Sequence, residues 1–338
     1  MSKVCIAGAG SWGLALALVL EKNGHEVTVW SALPEEIRLL KEEHENKRCL
    51  PGVIIPQTIR LTDKLDEAVA DKDVIVMAVA SPYTRATAAK LAPYIKDGQI
   101  IVDVAKGIEE KSLHTLSQVI KDELPTAQVA VLSGPTHAEE VSRFIPTTCV
   151  IGAEAEETAC FLQNLFMNES FRIYTSSDVL GIELGGSLKN VIALAAGIAD
   201  GLGYGDNTKA ALITRGIHEI SRLGVAMGGK PETFSGLSGI GDLIVTCTSM
   251  HSRNRRAGIL IGQGKTMQEA MDEVQMVVEG VYSAKAALAL SEKYNVSMPL
   301  VQETNLVFFG GKTAAEALKD LMLRDRTIES ENLLWENK

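Results

Sequence analysis

The chain has 338 residues, of which 46% are hydrophobic, and this is enough for a buried core in each of two ordinary domains. A formal net charge of −10 argues against nucleic acid as a general partner, because phosphate backbones select basic surfaces. No run approaches the roughly 20 uncharged apolar residues of a membrane-spanning helix, and the N-terminus begins a strand, not an export signal. We therefore expect a cytoplasmic globular protein.

The cysteines predict neither a disulfide framework nor a zinc site, because they are odd in number, scattered and without a CxxC pair. They are Cys5, Cys49, Cys149, Cys160 and Cys247. We expect reduced cysteines and no bound metal.

Up to about residue 175, short β-rich runs alternate with helical segments. The runs predicted as strands are KVCIAGAG, HEVTVWS, DVIVMAVA, QIIVDVAKG, AQVAVLSGP, TTCVIGA and FRIYT. Alternation of this kind, with runs apolar on both faces, is typical of a parallel sheet covered by helices. From Ser176 the sequence predicts helices separated by glycine-rich turns, without a strand. The predicted architecture is therefore an α/β domain with a predominantly parallel sheet at 1–175, followed by an all-α domain at 176–338.

The first strand is followed by three spaced glycines. A predicted strand, Lys3 to Ala7, leads into Gly8, Gly10 and Gly13, and a predicted helix, Trp12 to Lys22, follows. In such a turn the first glycine permits the tight bend, the second lets a pyrophosphate approach, and the third lets the helix pack on the strand. The helix N-terminus then faces the diphosphate. This context predicts a dinucleotide-binding turn.

The end of the second strand leaves the choice of dinucleotide open. An acidic residue there would pair with the ribose 2′-hydroxyl of NAD, whereas a basic one would accept the 2′-phosphate of NADP. The segment Trp30 to Ala32 contains neither. Glu35, Glu36 and Arg38 lie further along, on a predicted helix.

Lys189 is the only charged residue between Glu183 and Asp200, in a segment apolar on nearly every face. A buried lysine has a large desolvation cost unless its charge is used, and burial tunes its pKa toward proton transfer near neutral pH. Lys189 is therefore a candidate general acid. The alternative is a lysine that extends from a core helix to the surface.

Asp242 begins a predicted helix after a glycine-rich segment, and Thr246, four residues later, shares its face. The alternative role for Asp242 is a helix N-cap.

The residues that follow are basic. No acidic residue occurs between Leu243 and Gln268, and the basic residues there are Arg253, Arg255, Arg256 and Lys265. Arginine and asparagine suit phosphate oxygens, so Ser252, Arg253 and Asn254 predict a phosphate clamp. The alternative for the arginines is a solvated helix face.

Two loops of the first domain are predicted to face the glycine turn. Lys106 lies just beyond the predicted strand 100–105, and Gly134 to Ala138 lie just beyond the strand 128–133. Open parallel sheets bind ligands at the carboxyl ends of their strands. The alternative for Lys106, on position alone, is an ordinary loop lysine.

In this order, six segments resemble the NAD(P)-dependent glycerol-3-phosphate dehydrogenases of bacterial type. They are GAGSWG, AKGIE, SGPTHAEEV, LGGSLKNVIALAAGIADGLGYGDNTKAALITRG, GLSGIGDLIVTCTSMHSRNRRAG and VVEGVYSAK. The resemblance implies a Rossmann-type domain followed by an all-α substrate domain, as in 6-phosphogluconate-dehydrogenase-like folds, and a homodimer. It also implies reversible hydride transfer between dihydroxyacetone phosphate and sn-glycerol 3-phosphate, the precursor of glycerophospholipids, with NAD(P)H as cofactor.

The resemblance further implies roles for residues at matching positions. Lys189 corresponds to the general acid/base, and Asp242 and Thr246 to groups around it. Substrate-binding positions are Lys106, Gly134, Thr136, Lys189, Asn190, Asp242, Ser252, Arg253 and Asn254. Cofactor-binding positions are Gly8, Gly10, Ser11, Trp12, Gly13, Lys106, Ala138, Arg253, Val277 and Glu279.

Two positions depart from the resemblance. Where relatives commonly carry His or Arg after the second strand, this chain has Ala32, which weakens the case for NADPH. His137 stands where an aromatic residue is expected, and we interpret it as a spacer and not as a second acid.

Two other readings stay open. β-Hydroxyacid dehydrogenases and ketopantoate reductases share this architecture and a lysine in the second half, but a carboxylate substrate does not need so broad a basic segment. A non-catalytic dinucleotide sensor would have no use for a buried Lys189 facing Asp242.

Overall fold

In the computed structural model, which describes residues 1–326, 328 and 329, one eight-stranded sheet occupies the first half of the chain. The strands are β1 Lys3–Ala7, β2 Glu26–Trp30, β3 Arg60–Thr62, β4 Val74–Met77, β5 Ile100–Asp103, β6 Gln128–Ser133, β7 Thr147–Gly152 and β8 Phe171–Ser176. Seven of them match predicted runs. The three-residue β3 was missed because it is too short to show a hydrophobic pattern.

The sheet order is β3-β2-β1-β4-β5-β6-β7-β8, and every pairing is parallel except that of β6 with β7. The prediction of a mainly parallel sheet is therefore confirmed. Burial on both faces of the sheet explains why the sequence of β1 is apolar throughout. Val4 and Ile6 pack into the core on one face of the sheet, whereas Cys5 and Ala7 pack into the core on the other.

Seven α-helices accompany the sheet within the described residues. They are α1 Ser11–Lys22, α2 Pro34–Glu43, α3 Leu65–Val69, α4 Thr84–Leu91, α5 Leu116–Glu123, α6 Ala138–Val141 and α7 Glu156–Phe166. Short 3₁₀ turns occur at Ser81–Tyr83 and Ala92–Tyr94.

The second half is helical in its described residues, as predicted. Its helices are α8 Val179–Gly201, α9 Asp206–Ala226, α10 Pro231–Phe234, α11 Asp242–Thr248, α12 Arg253–Gly262, α13 Met267–Val274, α14 Glu279–Lys293, α15 Pro299–Phe309 and α16 Ala314–Met322. A π-helical turn, Leu237–Gly241, precedes α11.

The two halves are in contact. The carboxylate of Glu183, near the start of α8, accepts a 2.8 Å hydrogen bond from the backbone N–H of Ser117 and a 2.6 Å bond from its hydroxyl. The division into domains at 175/176 stays a prediction. Residues 327 and 330–338 of the predicted second domain lie outside the described residues.

Helix α8 is the central helix of the second half. By length and composition it could cross a membrane, but 83% of its most apolar window is buried inside the protein, as in a core helix. Helix α12 packs against it through glycines. A methyl group on Gly197 would lie 2.2 Å from the carbonyl oxygen of Arg255, and one on Gly258 would lie 2.3 Å from a carbonyl oxygen of α8. Gly201 and Gly262 repeat this arrangement one turn later.

No disulfide joins the cysteines, all five of which lie within the described residues. Four of the thiols are buried, and only Cys160 is exposed.

Candidate active site

A cleft of about 1180 Å³, counting the part open to solvent, lies where the sheet meets the helical half. Its walls come from the carboxyl ends of β1, β4, β5 and β6 on one side and from α8 and the start of α12 on the other. Strand order reverses between β1 and β4, which is where open α/β sheets bind ligands. The fold therefore brings the predicted loops and helices to one place.

The glycine turn has the shape that a pyrophosphate requires. Gly8 has φ +130°, and a methyl group there would lie 2.6 Å from the carbonyl oxygen of Ala78. A methyl group on Gly13 would lie 2.1 Å from the Gly8 oxygen, so the third glycine sets the close packing of α1. Beside Gly10 there is open space, and no side chain caps the N-terminus of α1. These features fit a dinucleotide whose diphosphate rests on the helix N-terminus.

Lys189 is buried at the centre of α8, with 4% of its surface exposed, and it also lines the cleft. Its Nζ donates hydrogen bonds to Oδ1 of Asp242 and, at 2.6 Å, to the hydroxyl of Thr246. Burial lowers the pKa of Lys189 to about 7; the Asp242 carboxylate opposes this shift and the Lys106 ammonium adds to it. The lysine does not extend to the surface.

Asp242 is shared by two lysines. Its second oxygen accepts a 2.7 Å hydrogen bond from Nζ of Lys106, which also donates to the carbonyl oxygen of Gly134 at 2.9 Å. The carboxylate is 1% exposed, and the N-cap of α11 is Gly241, so Asp242 is not the cap. Thr246 lies on the same helix face as Asp242 and donates to its backbone oxygen at 2.6 Å.

An amide network lies beside the lysines. The side-chain N–H of Asn254 donates to the side-chain oxygen of Asn190 at 3.0 Å, and the Asn254 oxygen accepts from the backbone N–H of Gly280 at 2.8 Å. Asn190 in turn donates to the carbonyl oxygen of Lys106 at 3.4 Å. Both asparagines line the cleft, but much of their hydrogen-bonding capacity goes to holding α8, α12 and α14 together.

The start of α12 carries a cluster of arginines. Ser252 is the N-cap and accepts a hydrogen bond from the backbone N–H of Arg255, whose side chain pairs with Asp200 at 2.8 Å. Arg253 and Arg256 line the cleft instead. In the part of the chain that the structure describes, neither of these two guanidinium groups has a carboxylate partner, and Nε of Arg256 is buried without any hydrogen bond. They are available to an anion in the cleft.

The remaining predicted residues occupy different positions around the cleft. Those that line it are Ser11, Trp12, Thr136, Ala138 and Glu279. Gly134 lies behind the wall, where its carbonyl oxygen holds Lys106. Val277 is not among the lining residues, although its neighbour Met276 is. Glu279 accepts hydrogen bonds from the hydroxyl of Ser81 and, at 3.1 Å, from its backbone N–H, which links α14 to the loop after β4.

Sequence reasoning did not assign Arg256, Met276 or His251 to the site, although all three line the cleft. Arg256 could have been found, because it lies three residues after Arg253 and so on the same helix face. His137 also lines the cleft, and its ring centroid lies 5.7 Å from that of His251. Burial lowers the pKa of His137, and the Lys189 ammonium adds to this.

Residues 1–326, 328 and 329 contain no group of three or more His, Cys, Asp or Glu side chains arranged to hold a metal ion.

Two family models match the chain. The model described as NAD-dependent glycerol-3-phosphate dehydrogenase N-terminus matches residues 3–159, and its C-terminal counterpart matches residues 178–319. A protein of Agathobacter rectalis named glycerol-3-phosphate dehydrogenase [NAD(P)+] is 64% identical over 335 residues, which is 99% of this chain and 100% of that protein. A Fusobacterium nucleatum protein of the same name is 60% identical over 97% of this chain and 99% of its own length.

Among solved structures, the crystal structure of glycerol-3-phosphate dehydrogenase from Coxiella burnetii superposes with a TM-score of 0.93 at 36% identity. The superposition covers 96% of this chain and 99% of that one. Both halves of the chain, in the order that the sequence predicts, are thus accounted for by one family. The chain belongs to the NAD-dependent glycerol-3-phosphate dehydrogenase family.

Proposed function

We propose that this protein catalyses the reversible, NAD(P)-dependent interconversion of dihydroxyacetone phosphate and sn-glycerol 3-phosphate, and so supplies glycerophospholipid synthesis. One observation carries the proposal. The same cleft is bordered by a buried lysine paired with a carboxylate, by two guanidinium groups that have no carboxylate partner among the described residues, and by a glycine turn shaped for a dinucleotide. The family and the named relatives support the same activity.

Lys189 is the proton donor in the reductive direction. When NAD(P)H is bound, its nicotinamide supplies the hydride. The substrate oxygen then gains negative charge, which a proton from the Lys189 ammonium removes. A pKa of about 7 lets the same amine give and take back a proton near neutral pH, as a reversible reaction requires.

Asp242 and Thr246 position the lysine. With one hydrogen bond to each of them, the Lys189 ammonium has a third N–H free for a ligand in the cleft. Lys106 binds the other oxygen of Asp242 and also lines the cleft, so it contributes a second positive charge close to the substrate oxygens.

The substrate phosphate binds at the start of α12. Arg253 offers an unpaired guanidinium group, Ser252 caps the helix, and the backbone N–H groups of the first turn face the same end. Asn254 holds this end against Asn190 on α8. Binding energy from the phosphate then places the carbonyl carbon near Lys189.

At the carboxyl edge of the sheet, Gly10 and the backbone N–H groups of Ser11 and Trp12 would hold the cofactor diphosphate. Ala138 and Glu279 border the region between this turn and the lysines.

From the resemblance to the family, we infer that the enzyme is a homodimer and acts in the cytoplasm. Light scattering on the purified protein tests the oligomeric state.

A direct assay tests the proposed activity. The purified protein is mixed with dihydroxyacetone phosphate and NADH or NADPH, and the absorbance of the reduced nicotinamide is followed. We expect consumption with at least one cofactor and a far higher KM for unphosphorylated dihydroxyacetone. Equal KM values for the two ketones would refute the phosphate site, and no turnover with either cofactor would refute the activity.

A further inference from the structure

The adenosine end of the dinucleotide site contains a carboxylate that the motifs do not assign. In sheets of this topology the adenosine ribose lies beyond the carboxyl end of β2, next to the glycine turn. Here β2 ends at Trp30, and Ser31 follows, buried at 5% exposure. The residues around Ser31 therefore meet the ribose 2′ position.

Glu36 reaches this position from the first turn of α2. The hydroxyl of Ser31 donates a 2.6 Å hydrogen bond to Oε2 of Glu36. The side-chain N–H of Asn46 donates both to the carbonyl oxygen of Ala9, in the glycine turn, at 3.2 Å and to Oε1 of Glu36 at 3.4 Å. The carboxylate is thus held between the end of β2 and the glycine turn, with 16% of its side chain exposed.

The two arginines near Glu36 contribute little to neutralising the negative charge of its carboxylate. Arg48 is the nearest, with a 3.8 Å ion pair to Oε1, but its side chain is 69% exposed, and exposed pairs contribute little. Arg38, on the outer face of α2, is occupied by Glu35 and Glu42. Of this pair, the Glu36 carboxylate is the buried and oriented member, with 16% of its side chain exposed against 69% for Arg48.

We propose that Glu36, oriented by Ser31 and Asn46, makes the enzyme select NAD(H) over NADP(H). The carboxylate accepts a hydrogen bond from a ribose 2′-hydroxyl, as an acidic residue near this strand end does in NAD-binding sheets. A 2′-phosphate would instead bring like charges together in a partly buried site, which lowers affinity strongly. Ala32 adds no positive charge to reverse this. The proposal rests on the proposed function and names its cofactor.

Direct binding tests the proposal independently of turnover. Dissociation constants of NADH and NADPH are measured by nicotinamide fluorescence or calorimetry for the wild type and for Glu36→Gln, which retains the shape of the side chain and removes its charge. We expect the wild type to bind NADH at least about tenfold more tightly than NADPH, and Glu36→Gln to reduce that ratio at least about fivefold, mainly through tighter NADPH binding.

Glu35→Gln is the matched control, because Glu35 is adjacent in sequence but 67% exposed and bound to Arg38. Its NADH-to-NADPH ratio should equal that of the wild type. Wild-type protein that binds NADPH as tightly as NADH would overturn the proposal. So would a wild-type preference for NADPH that Arg48→Ala removes, or a Glu36→Gln ratio that matches the control. Because binding is read without substrate, these outcomes are distinct from failure of the dehydrogenase assay.

Discussion

The exchange Asp242→Asn tests how the site sets the protonation of its lysine. Two ammonium groups, those of Lys106 and Lys189, share this one carboxylate. An amide has the same shape but no charge. Two unit charges about 4 Å apart interact by about 4 kcal/mol at an effective dielectric of about 20. Since one pKa unit corresponds to about 1.4 kcal/mol, the exchange should lower the pKa of Lys189 by about two to three units from its value of about 7.

The sign of the effect on rate follows from the role of the ammonium. Reduction of the ketone needs Lys189 protonated, so kcat/KM is high below the pKa of the lysine and falls as the pH rises through it. In the wild type this fall should centre near pH 7. In Asp242→Asn it should move to lower pH, and the protonated fraction at pH 7 should drop about fifty- to five-hundredfold.

The assay is the pH profile of kcat/KM for dihydroxyacetone phosphate, with the folded fraction of each variant checked by urea unfolding, because loss of a buried charge partner also destabilises the protein. Asp200→Asn is the control, since Asp200 pairs with Arg255 and Lys209 in the same helical half. Its profile should keep the wild-type midpoint. A lower rate for Asp242→Asn with an unchanged midpoint would show that Asp242 does not set the pKa of Lys189.

Four further predictions concern single residues. Lys189→Met should lower kcat at least about a hundredfold with little change in the dissociation constant of NADH, and wild-type turnover would contradict the assignment of the proton donor. Arg253→Ala should raise KM for dihydroxyacetone phosphate about tenfold or more in steady-state assays, whereas an unchanged KM would place the phosphate elsewhere. Gly13→Ala should destabilise the protein by about 1–3 kcal/mol in urea, because its methyl group would meet the Gly8 oxygen. Gly10→Ala should leave the free energy of unfolding unchanged, because its methyl group enters open space. It should weaken cofactor binding, because the diphosphate is expected to occupy that space. Equal urea unfolding curves for Gly13→Ala and Gly10→Ala would contradict this difference.

Much of the fold could be predicted because its signals are local. β1 and β6 have the predicted bounds, and the glycine turn needs only three residues in the right context. The antiparallel pairing of β7 could not be predicted, because an apolar strand buried on both faces has the same pattern in either direction. The three-residue β3 carries too little pattern to be recognised.

The residues of the site likewise divide into those that a local sequence pattern indicates and those that it does not. Lys189 was recognisable as an isolated charge in an apolar helix, and Asp242 with Thr246 follows from helical spacing. The ion pair of Lys106 with Asp242 joins residues 136 positions apart, so no local pattern shows it. The bond between Asn254 and Asn190 joins residues 64 positions apart, and it gives a supporting role to Asn254, which its motif indicates only as a phosphate ligand.

The glycine-mediated packing of α8 against α12 has a consequence for substrate choice. Lys189 lies on one helix and Arg253 on the other, and backbone lies against backbone at the glycines where these helices meet. The spacing of the two helix backbones that carry the proton donor and the guanidinium group is therefore fixed. A phosphorylated ketone one carbon longer or shorter than the fitting one would lose contact at one end, so chain length itself becomes a criterion of selection.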